Sequence, residues 1–149
     1  MLATTLCYGL GGIEGVQITV EVNLSAGLPM FDIVGLPDAA VKEARERIRA
    51  ALKNRGYAFP GDRITVNLAP ADLKKEGPAF DLPIAVGILA CTRKVNPASI
   101  ADTAILGELA LDGTLRPVRG ALPIAISARG HGVKQMILPA ANAREVSCV

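Results

Sequence analysis

The run from Val66 to Pro83 carries the residues best placed to do chemistry: Lys74, Lys75, Glu76 and Asp81 surround Gly77 and Pro78. It begins as a strand, breaks into a charged loop and then opens an apolar helix. A second polar turn, Arg116-Pro117-Val118-Arg119-Gly120, follows the segment that starts at Gly107. Two simple chemistries can be tested against the sequence at once. A phosphate-binding loop needs Gly-Lys-Ser/Thr, so that the lysine reaches the phosphates and the hydroxyl holds magnesium. In the glycine-rich stretch Gly9 to Gly15, Gly11-Gly12 is followed by Ile13-Glu14, and Glu14 would repel phosphate. A metal site needs clustered ligands. The one histidine, His131, lies between two glycines and reads as solvated, and the carboxylates are scattered singly.

Basic residues form three groups. Between residues 42 and 63 stand Lys42, Arg45, Arg47, Arg49, Lys53, Arg55 and Arg63 against Glu43, Glu46 and Asp62. Arg45, Arg49 and Lys53 recur at helical spacing on one stripe. Lys74 with Lys75, and Arg116 with Arg119, make two smaller groups on the two loops. Such faces are either solvated surface or contacts to DNA or to another subunit. No aromatics are interleaved for base stacking, so any nucleic-acid contact would be to backbone phosphates.

The elements that must position these residues are legible in outline. The 149 residues suit one domain, 1–149, and a chain of that length buries roughly 70% of its unfolded surface. Half the residues are apolar but only five are aromatic, so the core must be Val, Ile, Leu and Ala. A net charge of +2 gives no global nucleic-acid signature. The three cysteines show no metal spacing and suit a reducing cytosol. The first residues lack a signal-peptide pattern and no apolar run is long enough to span a membrane, so a cytoplasmic location is expected.

Strands are predicted over 2–8, 16–22 and 29–34, as an antiparallel meander, with 9–15 a turn or edge loop. Asp38 is placed to cap a helix whose Val41, Ala44, Ile48 and Ala51 or Leu52 face inward. Lys42–Glu46 and Glu43–Arg47 are paired at helical spacing, and Gly56 stops the helix. A strand over 63–68 and a buried helix over 82–90 follow. Glu76-Gly77-Pro78 and Asp81 set the turn between them: Gly77 in a conformation that a β-carbon would strain, Asp81 at the positive helix end. Segments 104–111 and 114–118 flank the hairpin signal Asp112-Gly113. A helix over 122–128 ends at Arg129-Gly130, a strand covers 135–138, and Asn142 caps a last helix. The fold class is α+β (mixed α/β), one mixed sheet covered by helices.

The loop Lys74 to Ala79 resembles the nucleophile loop of the Lon peptidase domain, where a catalytic serine follows the Gly-Pro pair. Here that place is Ala79. In Lon the partner lysine lies on the helix after a Pro-x-Gly-Gly turn. The matching turn is Pro117-Val118-Arg119-Gly120, and the lysine position is Leu122. The resemblance therefore implies a peptidase frame without its dyad.

Over essentially its whole length the chain also resembles the N-terminal domain of the ComM/YifB family of magnesium-chelatase-like AAA+ proteins. The match rests on Val20-Glu21-Val22, Gly27-Leu28-Pro29, Val34 to Asp38, Ala51 to Gly56, Thr65 to Asp72, Lys75-Glu76-Gly77, Phe80 to Ala85 and Gly107-Glu108-Leu109. It implies a Lon-like domain, of the fold also seen in a ribosomal small-subunit protein, at the front of a longer polypeptide. The ATPase module that uses ATP and magnesium would lie elsewhere in that polypeptide. No cofactor is expected here, since the chain has no Gly-Lys-Ser/Thr motif. The expected partners are the chain's own AAA+ module, further copies in a homo-hexamer, and DNA, in branch migration during natural transformation. The rivals are a Lon-type peptidase or regulator of proteolysis, which Ala79 and Leu122 oppose, and a pure oligomerisation scaffold.

Overall fold

A computed structural model describes residues 1–149. Strands β1 (Leu2–Gly11) and β2 (Glu14–Ser25) form a long antiparallel hairpin, in register from Leu2↔Asn23 to Gly11↔Glu14. The stretch 9–15, expected as a turn or loop, is thus mostly strand, and only Gly12 and Ile13 reverse the chain. Gly12 takes the turn at φ +68°, while Gly15 serves close packing. A β-carbon on Gly15 would lie 3.0 Å from the Ile124 Cα.

The expected meander ends there. Strand β3 (Met30–Val34) pairs in parallel with β4 (Arg63–Ala69), and β4 lies antiparallel to β2. The cause is helix α1 (Ala39–Asn54), which connects β3 to β4. A crossover of that length brings the chain back as a parallel neighbour. Asp38 Oδ1 accepts the Val41 N–H at 2.8 Å, as the capping reading requires. Val41, Ala44, Ile48, Ala51 and Leu52 are buried, and Gly56 follows the helix at φ +84°. Glu43 and Arg47 approach to 3.8 Å, whereas Glu46 pairs with Arg49 at 3.4 Å rather than with Lys42.

Helix α2 (Asp81–Cys91) packs its Ile84, Ala85 and Ile88 into the core. A β-carbon on Gly87 would lie 2.5 Å from Val22 Cγ2, so the glycine lets α2 close onto β2. The segment expected as one strand over 104–111 is divided. Strand β5 (Thr103–Ile105) lies in the main sheet, parallel to β1 and to β8 (Gln135–Ile137). Strands β6 (Glu108–Leu109) and β7 (Leu115–Arg116) make a separate hairpin, with Gly113 at φ +88°. The break falls where the backbone changes partners: Leu106 N–H still serves Ile137 C=O, but Gly107 N–H serves Ala79 C=O. The main sheet has the order β3-β4-β2-β1-β5-β8. Helix α3 (Ala121–Gly130) runs through Gly130, and the left-handed stop is Gly132 at φ +83°. A short α4 (Ala143–Val146) follows. No helix is long and apolar enough to cross a membrane.

Candidate functional site

The loop before α2 is tied to the start of α1. Lys75 N–H donates to Leu36 C=O and Asp38 N–H donates to Lys75 C=O, both at 2.9 Å. Asp38 caps α1 with one carboxylate oxygen and accepts Gly77 N–H at 3.1 Å with the other. Gly77 has φ +84° and open space where a β-carbon would stand, so its backbone conformation alone calls for glycine. Lys75 does not reach solvent. It is only 1% exposed, and its ammonium donates to Pro70 C=O. Burial lowers its pKa, and nearby Asp72 partly opposes this. An amine so enclosed is not available to a phosphate at the surface, which corrects its placing among the phosphate contacts.

Asp81 opens α2 and is fully buried. Its carboxylate accepts from Arg47 Nε at 2.6 Å, from Arg47 Nη2 at 3.0 Å and from Leu109 N–H at 3.0 Å. Burial pushes this carboxyl up; the guanidinium and the N–H oppose the shift. The carboxylate lies at the positive end of α2, but its main partner is a cation on α1. Sequence reasoning missed Arg47. The signal was its place on the apolar stripe of Ala44 and Ala51, where a charge needs a buried partner.

The loop before α3 is held differently. Asn142, 4% exposed, accepts Val118 N–H at 2.9 Å and donates to Val118 C=O at 3.0 Å. Its amide also donates to Glu145 at 2.7 Å. The side chain is consumed by a backbone 24 residues earlier, so it does not cap α4 as expected. His131 is exposed, as the solvated reading has it, and its Nδ1 lies 2.8 Å from the Tyr8 hydroxyl with the two rings stacked.

Between the two loops lies a cavity of about 590 Å³. Val16, Ile18, Phe80 and Ile124 are among its apolar walls; Lys74, Glu76, Glu108 and Arg119 are among its polar ones. Ala79 lines it with a methyl group. Leu122 is outside the lining. Lys74 is 3.8 Å from Glu76 and Arg116 is 3.5 Å from Glu108, while Arg119 is exposed and has no ion pair. The α1 stripe is a separate group. Arg45 donates to Phe31 C=O, Arg49 lies over the Phe59 ring at 5.3 Å, and Lys53 is exposed. No group of three or more His, Cys, Asp or Glu side chains is gathered as for a metal ion.

Residues 20–142 match the family model described as subunit ChlI of Mg-chelatase. Competence protein ComM of Haemophilus influenzae is 48% identical over 138 residues, covering 93% of this chain and 27% of the relative. YifB of Escherichia coli is 46% identical over the same length and coverage. The chain belongs to the magnesium-chelatase-like family of ComM and YifB. It spans about a quarter of the length of those relatives. Lon protease 1 of Myxococcus xanthus is 24% identical over 141 residues, covering 90% of this chain and 17% of the relative. The likeness to Lon runs through both loops of the cavity, and the fold is the expected α+β arrangement around one mixed sheet.

Proposed function

We propose that this chain is a non-catalytic domain of a ComM-like AAA+ ATPase, a cytoplasmic DNA branch-migration motor in which it supports ring assembly and touches DNA. The observation that carries the non-catalytic reading is the cavity wall: a methyl group at Ala79 stands where Lon has its nucleophile, and Leu122 is outside the lining. The chain's two loops keep their backbone geometry through Asp38, Asp81 and Asn142, none of which needs a substrate. ATP and magnesium belong to the ATPase module, and the expected partners are that module and further copies in a hexamer.

For DNA, the exposed cations Lys74, Arg116 and Arg119 are the leading contacts, with Arg45, Arg49 and Lys53 second. The test is duplex binding by fluorescence anisotropy across a salt series. Each phosphate contact removed reduces the steepness of log K against log salt by about 0.9. Lys74→Glu with Arg119→Glu is expected to weaken binding and flatten the slope. Unchanged binding and slope, with the α1 cations reversed as well, would leave a scaffold without DNA contact. The pairing of Lys74 with Glu76 and of Arg116 with Glu108 favours that second reading.

A further inference from the structure

The triplet Gly-Leu-Pro occurs twice, at 27–29 and 35–37, and brackets strand β3. Each leucine follows a glycine of positive φ, Gly27 at +147° and Gly35 at +103°. The second triplet is pressed onto β4, and a β-carbon on Gly35 would run into the Leu68 carbonyl. Lys75 N–H holds the Leu36 carbonyl, and Leu36 itself takes φ +55°, a region that bulky residues avoid. Its side chain is left in solvent. Leu28 is 82% exposed, Leu36 is 53% exposed, and Met30 and Val34 between them are exposed as well. Alternation puts Met30, Asp32 and Val34 on one face of β3 and the buried Phe31 and Ile33 on the other. Asp32 is half-buried, and its carboxylate has neither a hydrogen bond nor an ion pair. Of the other charges on this face, Arg63 is exposed opposite Met30, and Glu21 is taken by Asn67 at 2.8 Å.

Helix α2 covers the opposite face of the sheet, where Gly87 meets Val22. Helix α3 lies on the same face as Asp32. Along β2, Gly15 and Asn23 point to one side. Gly15 meets Ile124 of α3, while Asn23 stands beside Thr65 and Thr65 beside Asp32. This face therefore carries a ridge, α3, about 10 Å high, and beside it an uncovered step at β3. On α3, Ile124, Ala125 and Ala128 are buried. Leu122, Ile126 and Arg129 follow one another at helical spacing on another stripe. Ile126 is 57% exposed, and Arg129 is exposed with no ion pair.

We propose that two copies of this chain pair face to face about a two-fold axis, with α3 of each seated on the β3 step of the other. Ile126 packs among Met30, Val34 and Leu36, and Arg129 meets Asp32. The ridge is apolar with an unpaired cation; the step is apolar with an unpaired carboxylate. The two-fold makes each contact twice, so the same surfaces serve both copies. Side chains rather than main chain carry the pairing. Pro29 stands before β3 and Arg45 donates to the Phe31 carbonyl at 3.3 Å, which closes that edge to a joining strand. The pairing is independent of the ring, DNA and non-catalytic readings.

The test is sedimentation equilibrium of the 1–149 chain over a wide range of concentration. A reversible monomer–dimer equilibrium is expected. Asp32→Arg and Arg129→Asp should each weaken it by about tenfold, since each reverses both charge pairs of the dimer. The double variant restores both pairs with their charges exchanged, and should recover most of that loss. Ile126→Glu should leave a monomer. Circular dichroism checks that every variant is folded; should Asp32→Arg not fold, Arg129→Asp and Ile126→Glu, both at exposed positions, decide alone. A chain that stays monomeric at the highest concentration overturns the proposal. So does a dimer indifferent to these substitutions, or a folded double variant as weak as the single ones. A closed oligomer larger than a dimer is built from head-to-tail contacts, so it overturns the two-fold pairing while leaving the ring reading in place.

Discussion

The chain enters α2 after Gly77, at φ +84°, and α3 after Gly120, at φ +73°. Around Gly77 the lock is made of charge. Asp38 holds the glycine N–H, and Arg47 reaches from α1 to the buried Asp81, which in turn holds Leu109 of the β6–β7 hairpin. Around Gly120 the lock is neutral: one amide, Asn142, satisfies both backbone groups of Val118. A β-carbon at Gly77 would meet nothing within 4 Å, whereas one at Gly120 would come 2.4 Å from Leu10 Cδ1. The first junction is thus fixed by electrostatics across three elements, the second by one hydrogen-bonding side chain and close packing. Both locks lie outside the positions where the Lon resemblance puts a dyad. That separation lets the frame of the cavity stand without reactive side chains.

The difference predicts unequal costs. Asp81→Ala leaves the Arg47 guanidinium largely buried without its partner, and is expected to cost about 3–5 kcal/mol in urea unfolding. Asn142→Ala frees one N–H and one C=O of Val118, and is expected to cost about 1–3 kcal/mol. A larger loss for Asn142→Ala than for Asp81→Ala would reverse the comparison.

The smallest effect is a pH drift at the charged junction. The Lys75 amine has a lowered pKa in the folded chain. Between that lowered value and the unfolded value of about 10.4, the unfolded chain binds more protons, so the Lys75 contribution to stability rises with pH. Below the lowered value the buried charge is a cost. Lys75→Met should therefore gain most over the wild type below the lowered value and lose that advantage as pH approaches the unfolded value. A difference flat across the series would show that the amine titrates as it does in solvent.

Local periodicity made much of the scaffold legible. The α1 stripe, its Asp38 cap, the β4 strand and the buried α2 all follow from residue spacing. The place of β3 does not, because Phe31 and Ile33 alternate with polar or exposed neighbours whichever strand lies beside them. Burial of Lys75 is also illegible, since a lysine in a charged loop reads as solvated until the Pro70 carbonyl is seen to enclose it. Asn142 before a short helix reads as a cap, and only the tertiary fold shows Val118 taking its side chain. The two loops of the cavity were legible as a pair through their resemblance to Lon. The 9–15 glycines signalled a turn, which Gly12 and Ile13 make, but not that Gly15 stands in a strand where packing against α3 requires a small residue.

The most direct test of the frame-without-dyad account is a peptidase assay of the chain itself and of Ala79→Ser. Unfolded casein and fluorogenic peptides are expected to show no turnover above buffer with either protein, because restoring a hydroxyl at position 79 still leaves Leu122 where Lon carries its lysine. Cleavage that survives purification and disappears when the Ala79 loop is altered would contradict the account.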